Sequence, residues 1–487
     1  MDRPSPTLGE QRYLRQGFAF PQSRRETTLL VDLCAGHAAV ASAFLKAGGA
    51  AMGVPILASD FHGPTRPSGH WFLGGHDCLA ATINPEKVTY EPILPGAPAM
   101  ALGCLAPGRE NAWLVVHLNS PNDARAALEA IAGFGVLGEQ LRVLLALAGP
   151  AGIVVQRAPN VAAALDLMRT IPDAPIPAGS TELSMLAAGV CLNELVFGGV
   201  PAQDDLNVPR VVAFYSLRRP RRVDYTAGTD LGRLVAEVAS PAGDRPSFSG
   251  RRVKQVGAGA LGNWTSIAIA LDASVTMEVV DGDPTVEAHN LNRQVLLVNG
   301  LGRPKAPVLR DELAQLDPQG SYTAVVRFAR EKRDLGPLEG TDLLLSVPDN
   351  NAARVLCADA AHEAALLFGQ GGTGATGGQE TVHAVGRACF HCVVNSGESS
   401  GETPRRSNSC AAVAEDSIVS SNMALAGLLV SELREAVAGR RVQNVRFVGD
   451  GAQGNKLGRM ITHVACPHAA ATRPAPVEAG KRESVKA

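Results

Sequence analysis

Residues 27–58, TTLLVDLCAGHAAVASAFLKAGGAAMGVPILA, pass from a β-branched apolar run through a small-residue turn into an alanine-rich stretch, then into a second apolar run. That pattern predicts strand, turn, helix and strand. Residues 251–281, RRVKQVGAGALGNWTSIAIALDASVTMEVVD, repeat the succession. Each half later carries a helix with small residues on one face, SMLAAGVCLNELVFGG at 184–199 and SNMALAGLLVSELREAV at 421–437. A repeat of about 235 residues follows. Its boundary falls near 225–250, where SPAGDRPSFSG (240–250) has linker composition. Strands alternating with helices predict an α/β fold of mainly parallel sheets, covered on both faces.

Composition narrows the function classes. The 487 residues carry a formal net charge of −2, which excludes a general attraction to nucleic acid or to anionic membranes. The basic run RRPRRV at 218–223 reads as a solvated loop. The start, MDRPSPTLGEQRYLRQ, lacks the apolar core of a secretory signal, and the apolar stretch at 28–58 is broken by Asp32, His37 and Lys46, so no membrane span is expected. Nine scattered cysteines fit a reducing cytoplasm better than a disulfide framework. Residues 471–487 read as a polar, disordered tail.

The halves differ in their first turn. GAGALG places Gly257, Gly259 and Gly262 in the G-x-G-x-x-G spacing that lets backbone N–H groups approach a phosphate at a helix N-terminus. MEVVD then ends at Asp281, where an acid can accept from ribose hydroxyls. The first half has DLCAGHAAV with one glycine, so it is expected not to bind nucleotide. Beyond the ribose acid lie Arg293 and Lys305, two cations that a triphosphate needs and a nicotinamide does not. DLLLSVPDNNAAR (342–354) predicts a buried strand delivering Asp349 and Asn350 at its carboxyl end, where a carboxylate suits Mg²⁺ on phosphate oxygens. Together they make a phosphoryl or nucleotidyl transfer site.

At GAGALGN, VDGDPTVEAHNLNRQ, GRPKA and PDNNAAR the chain resembles the E1/ThiF/MoeB family of ubiquitin-activating-like adenylating enzymes, over most of 250–470. The resemblance implies Rossmann-like domains binding ATP and Mg²⁺. Asp281 would hold ribose, with Asp283 beside it, Asn290 and Arg293 the phosphates, Lys305 the triphosphate and Asp349 magnesium, with Gly257, Gly259, Gly262 and Asn350 completing the nucleotide site. RYLRQ (Arg12–Gln16) occurs once, in the half without the glycine turn. The resemblance implies that Arg15 reaches the other half's ATP as an arginine finger. Residues 1–245 are then an inactive adenylation domain and 246–470 an active one, in tandem as a pseudo-dimer.

The cysteines leave alternatives open. Cys389 and Cys392 form a C-x-x-C, and Cys466 precedes Pro467 and His468. The family's structural zinc uses two such pairs. Here Ala469 stands in place of the fourth cysteine, leaving His468, His463 or water for that position. Cys410 lies in a polar segment matching the family's crossover loop, about 393–412, near Arg405 and Arg406 that favour a thiolate. It reads as an acceptor nucleophile, as the missing zinc ligand, or as an inert thiol. Cys34, Cys78, Cys104, Cys191 and Cys357 sit among apolar residues and read as small core side chains.

The implied activity is ATP-dependent adenylation of the C-terminal carboxylate of a small ubiquitin-like protein, then a thioester on Cys410 and transfer to an E2-like protein. A bacterial conjugation system, antiviral in several relatives, is the implied context. The alternatives are adenylation of a sulfur carrier or a peptide without E2 transfer, and an NAD-dependent oxidoreductase.

Overall fold

A computed structural model describes residues 28–34, 39–46, 50–55, 111–133, 141–197, 209–217, 230–241, 243, 246–272, 274–374, 377–383, 417–440, 442, 445–450 and 454–459. The first half runs β1 (Thr28–Cys34), α1 (Ala39–Lys46), β2 (Ala50–Pro55), β3 (Asn111–His117), α2 (Pro121–Ala132), β4 (Arg142–Gly149), β5 (Gly152–Ala158), α3 (Val161–Met168), α4 (Thr181–Phe197), β6 (Arg210–Ser216) and α5 (Leu231–Ala239). The second runs β7 (Arg252–Val256), α6 (Ala260–Ala270), β8 (Thr276–Val280), α7 (Lys305–Leu316), β9 (Ser321–Val325) and β10 (Leu343–Ser346). It continues through α8 (Asn351–Glu363), β11 (Leu367–Thr373), β12 (Gly377–His383), α9 (Val419–Val437), β13 (Val445–Asp450) and β14 (Gly454–Arg459). Both strand–turn–helix–strand readings and both later helices match these elements.

The sheets follow one plan. The first has the order β2-β1-β3-β4-β5-β6 and the second β14-β13-β12-β11-β10-β7-β8-β9. In each, the half's opening strand pairs in parallel with its second strand on one side and with a later strand on the other. In each, the long helix, α4 or α9, lies between the last two counterpart strands. The second sheet adds β9 at one edge and β14 at the other. The expectation of mainly parallel pairing holds for the centre and fails on one flank, where β4-β5-β6 and β11-β12-β13-β14 are antiparallel. Short connections account for β4–β5, β11–β12 and β13–β14, whereas β5–β6 and β12–β13 turn back over long connections that carry α3 and α4, and α9, respectively. Pro150 and Ala151 alone join β4 to β5, and a parallel return needs a dozen residues or more.

Between the halves lie α4 and α9, packed on each other more extensively than any other pair of the described elements. Every residue of α9 from Val419 to Glu435 is buried. Close approach comes from two glycines. A Cβ on Gly189 of α4 would stand 2.6 Å from the Ala424 nitrogen, and one on Gly427 of α9 would stand 2.7 Å from the Leu186 nitrogen. Leu186 and Gly189 are one turn apart, as Ala424 and Gly427 are, and the contacts run crosswise. That reciprocity is the signature of a two-fold-like interface.

Buried polar links fix the same interface. Arg434 of α9 forms ion pairs with Glu182 of α4 (2.9 Å) and with Asp272, just past α6 (2.8 Å), and Glu182 is fully buried. Tyr215 of β6 donates to Glu432 Oε1 at 2.6 Å. The segment expected as a linker is docked here rather than free. Arg434 donates to the Pro246 carbonyl at 3.0 Å, and its guanidinium lies 5.2 Å from the ring centre of the buried Phe248. One apolar cluster accordingly runs from Leu30 and Phe44 through Leu186 and Met423 to Ile267 and Leu345.

Candidate nucleotide-binding site

β10, β7 and β8 are adjacent and parallel, so residues 257–259, 281–283 and 347–350 leave the sheet side by side at its carboxyl edge. The chain steps from β7 to β8 on one side and later to β10 on the other. A doubly wound sheet opens its ligand crevice at such a switch point.

The glycine turn fills that crevice's floor. Gly257 has φ +107°, a conformation that a side chain rarely adopts, and a Cβ there would lie 2.7 Å from the Val347 carbonyl oxygen. A Cβ on Gly262 would lie 2.2 Å from the Gly257 oxygen, so the third glycine lets α6 close onto the turn. Gly259, which caps α6, has open space where its Cβ would be, and no side chain caps the helix. Unopposed N–H groups at a helix start favour an anion.

Two acids and a lysine line the edge. Asp281 accepts from the Ala258 N–H (2.6 Å) and from the Asp283 N–H (2.7 Å), which ties the acid to the glycine turn. Burial raises its carboxyl above the ordinary range, against the pull of those N–H groups and of Lys305. Lys305, the first residue of α7, is buried and pairs through Nζ with Asp283 Oδ2, and its N–H donates to the Asp283 carbonyl at 3.2 Å. Asp349 stands exposed at the carboxyl end of β10, 3.5 Å from the Asn350 amide nitrogen.

Three expected ligands have structural duties in this state. Asn350 caps α8, its Oδ1 accepting from the Ala353 N–H at 2.8 Å. Asn290 accepts from the Glu287 N–H at 2.9 Å and closes a turn at 288–290. Arg293 is buried, with the His289 carbonyl and Asn292 Oδ1 (2.8 Å) among its partners. Arg15, Cys389, Cys392, Cys410, Cys466, His468, the crossover loop, the tail and the basic run at 218–223 lie outside the described residues. Cys191 and Cys357 are buried, as expected of core residues. Burial pushes the Cys357 thiol up to about 11.

Four side chains that the sequence reading passed over hold this edge. Gln255 of β7 donates to the Gly257 (3.0 Å) and Gly262 (3.1 Å) carbonyls, and accepts from Thr265 and Ser266. Asn263 and Trp264 bind the turn and the Arg293 segment. Arg354 donates twice to the Pro348 carbonyl, at 3.1 and 2.9 Å, and braces the segment carrying Asp349. The available signal was polarity at positions that the 2.0 and 3.6 periods assign to the interior.

A doubly wound α/β protein with a glycine turn at the carboxyl edge of its sheet is thereby defined. Residues 239–468 match the ThiF family, and this segment belongs to that family within the E1/ThiF/MoeB superfamily. It is similar to the adenylyltransferase and sulfurtransferase UBA4 of Yarrowia lipolytica, 28% identical over 144 residues, covering 29% of this chain and 36% of that protein. It is also similar to the probable adenylyltransferase/sulfurtransferase MoeZ of Mycobacterium tuberculosis, 35% identical over 117 residues, covering 23% of this chain and 28% of that protein. The matches thus span only a minor part of these relatives' own lengths. Among solved structures, E. coli MccB with ATP aligns at TM-score 0.38 and 16% identity, covering 45% of this chain and 66% of that one.

Proposed function

We propose that this chain activates a carboxylate by adenylation with ATP. The observation that carries the reading is the junction of the glycine turn with Asp281, Asp283 and Lys305 at one sheet edge, beside the segment bearing Asp349. The turn's N–H groups would hold the α-phosphate and Asp281 the ribose. Lys305, released from Asp283, and Arg293 would meet the β- and γ-phosphates. No group of three or more His, Cys, Asp or Glu among the described residues is arranged to hold a metal. One exposed carboxylate suffices for Mg²⁺, because the phosphates and water supply the other oxygens, and Asp349 fits that requirement. Bound there, Mg²⁺ would neutralise phosphate oxygens.

In the reaction a carboxylate oxygen attacks the α-phosphorus, the bond to the bridging oxygen of the β-phosphate breaks, and pyrophosphate leaves. Cations aimed at the charge that grows on the phosphates lower that barrier. The acyl donor is the C-terminal carboxylate of a small ubiquitin-like protein. Arg15 then completes the site from the inactive half, residues 1–245 and 246–470 act as a pseudo-dimer, and Cys410 takes the acyl group as a thioester for an E2-like partner. The reciprocal α4–α9 packing supports the tandem arrangement. Zinc on Cys389, Cys392, Cys466 and His468 belongs to the same proposal.

A second reading, adenylation of a sulfur carrier without E2 transfer, is favoured by the relatives named as both adenylyltransferase and sulfurtransferase. ATP–pyrophosphate exchange with a candidate carrier tests the common step. An adduct cleaved by added thiol and lost in Cys410→Ala supports the thioester, and exchange without any adduct supports the second reading. Absence of exchange with every carrier, together with no ATP binding, would end the proposal.

A further inference from the structure

We infer that Asn263 and Trp264, consecutive residues in the first turns of α6, are positioning residues that set the distance between the glycine turn and the Arg293 segment, and so match the site to a triphosphate. This rests on the adenylation reading for which phosphates lie where, and adds how the chain holds the two halves of the phosphate site in register.

Asn263 is fully buried, and every part of its amide is engaged. Nδ2 donates to the Ala258 carbonyl at 3.0 Å and to the Gly259 carbonyl at 2.9 Å, while Oδ1 accepts from the Leu296 N–H at 3.0 Å. Ala258 is also the residue whose N–H holds Asp281. One side chain therefore ties the glycine turn, and through it the ribose acid, to the segment that follows Arg293. Trp264, also fully buried, donates from Nε1 to the carbonyl of Arg293 itself at 3.0 Å. The stretch from Arg293 to Leu296 is thus held at both ends by neighbouring side chains of one helix.

The geometry has a consequence for ligand discrimination. The turn faces the α-phosphate, which AMP and ATP share, whereas Arg293 would serve phosphates that only ATP has. Loosening Trp264 frees the Arg293 backbone and leaves the turn in place. Changing Asn263 disturbs both. In Asn263→Asp a carboxylate oxygen would face two carbonyl oxygens, while the bond from Leu296 N–H survives. Unmet or opposed buried hydrogen bonds of this kind change an equilibrium by about tenfold.

The test is calorimetric titration of the full chain with MgATP and with AMP, alongside thermal melting of each variant. Trp264→Phe should weaken ATP by about tenfold and leave AMP within about twofold. Asn263→Asp should weaken both by at least about tenfold. A general loss of packing would lower the melting midpoint without altering the ratio of the two affinities, so the ratio is the readout. Should Asn263→Asp not fold, the Trp264→Phe ratio alone decides. A Trp264→Phe chain that keeps the wild-type ratio overturns the inference and leaves adenylation standing. Wild-type protein that binds neither nucleotide overturns adenylation itself, before any variant is made.

Discussion

The halves of this molecule share a sheet plan and differ where a nucleotide would lie. Both open with strand, turn, helix and strand, and both place their long helix at the common interface. In the second half the turn is Gly257-Ala258-Gly259, and in the first the corresponding residues are Ala35-Gly36-His37-Ala38. After β8 comes Asp281, while after β2, whose Pro55 is in register with Cys34 as Val280 is with Val256, comes Ile56. Packing positions persist in both halves, and chemical positions persist in one. The fold needs the first kind in order to bury its helices, and only a ligand needs the second.

The largest expected effect breaks the shared part. Arg434→Ala leaves Glu182 buried without its guanidinium, and Asp272 loses the same partner. Removing one member of a buried pair costs about 3–5 kcal/mol. Urea unfolding should lose that much stability in one transition, because a single apolar cluster spans both halves. Two separate transitions would show that the halves are independent.

Next come the positions that only the second half has. Lys305→Ala should lower ATP–pyrophosphate exchange by about 10²–10³-fold, the usual size for one preorganised charge or donor at the reacting centre. Arg303→Ala is the control. It is two residues away and removes an exposed pair with Asp311 worth at most about 1 kcal/mol, so exchange should stay near wild type. Equal losses in both variants would mean that Lys305 has no special part.

A matched pair of glycine variants sharpens the contrast. Gly257→Ala puts a Cβ against the Val347 carbonyl at φ +107°, a strain of about 1–3 kcal/mol focused on the turn. ATP affinity should fall by at least the corresponding factor. Gly36→Ala, in the turn expected to be inert, should leave ATP affinity unchanged in the same titration. A loss on both sides would assign nucleotide binding to both halves.

Much of this architecture is legible from residue order. Periodicity locates both strand–turn–helix–strand units to within a few residues, because continuous apolar runs leave little choice of element. The glycine spacing and Asp281 are equally legible, since close backbone approach and an acid at a strand end are written in residue type. What the pattern hides is the job of buried polar groups. Lys254 in β7 reads as a surface lysine, yet it is buried, paired with Glu278 at 2.7 Å and bonded to the Leu335 and Pro337 carbonyls. Asn290 and Asn350 read as ligands, and in this state their side chains close a turn and cap a helix. A polar residue's partners are set by three-dimensional neighbours, which period and composition do not encode. The antiparallel flank is hidden for a different reason, since strand direction depends on how each connection returns to the sheet, which period does not encode.

The smallest expected effect separates the halves by pH. Burial raises the Asp281 carboxyl above its ordinary value of about 4, and in the first half the residue that follows β2 in sequence is Ile56. With a folded value above the unfolded one, the group's contribution to stability is complete below the unfolded value and is lost as pH rises through the folded value. Ligand binding runs the other way. The ionised carboxylate is acceptor-only and can take the Ala258 and Asp283 N–H groups and a ribose hydroxyl together. Protonation turns one of those acceptor positions into a donor and weakens the rest. ATP affinity should therefore fall as the solution is acidified through that raised value, while Asp281 protonation adds stability to the free protein. Titrations with ATP from neutral into acidic solution check this directly. Asp281→Asn should bind more weakly with a flatter profile. A wild-type profile that the asparagine variant reproduces would move the titrating group elsewhere and leave the second half without its ribose acid.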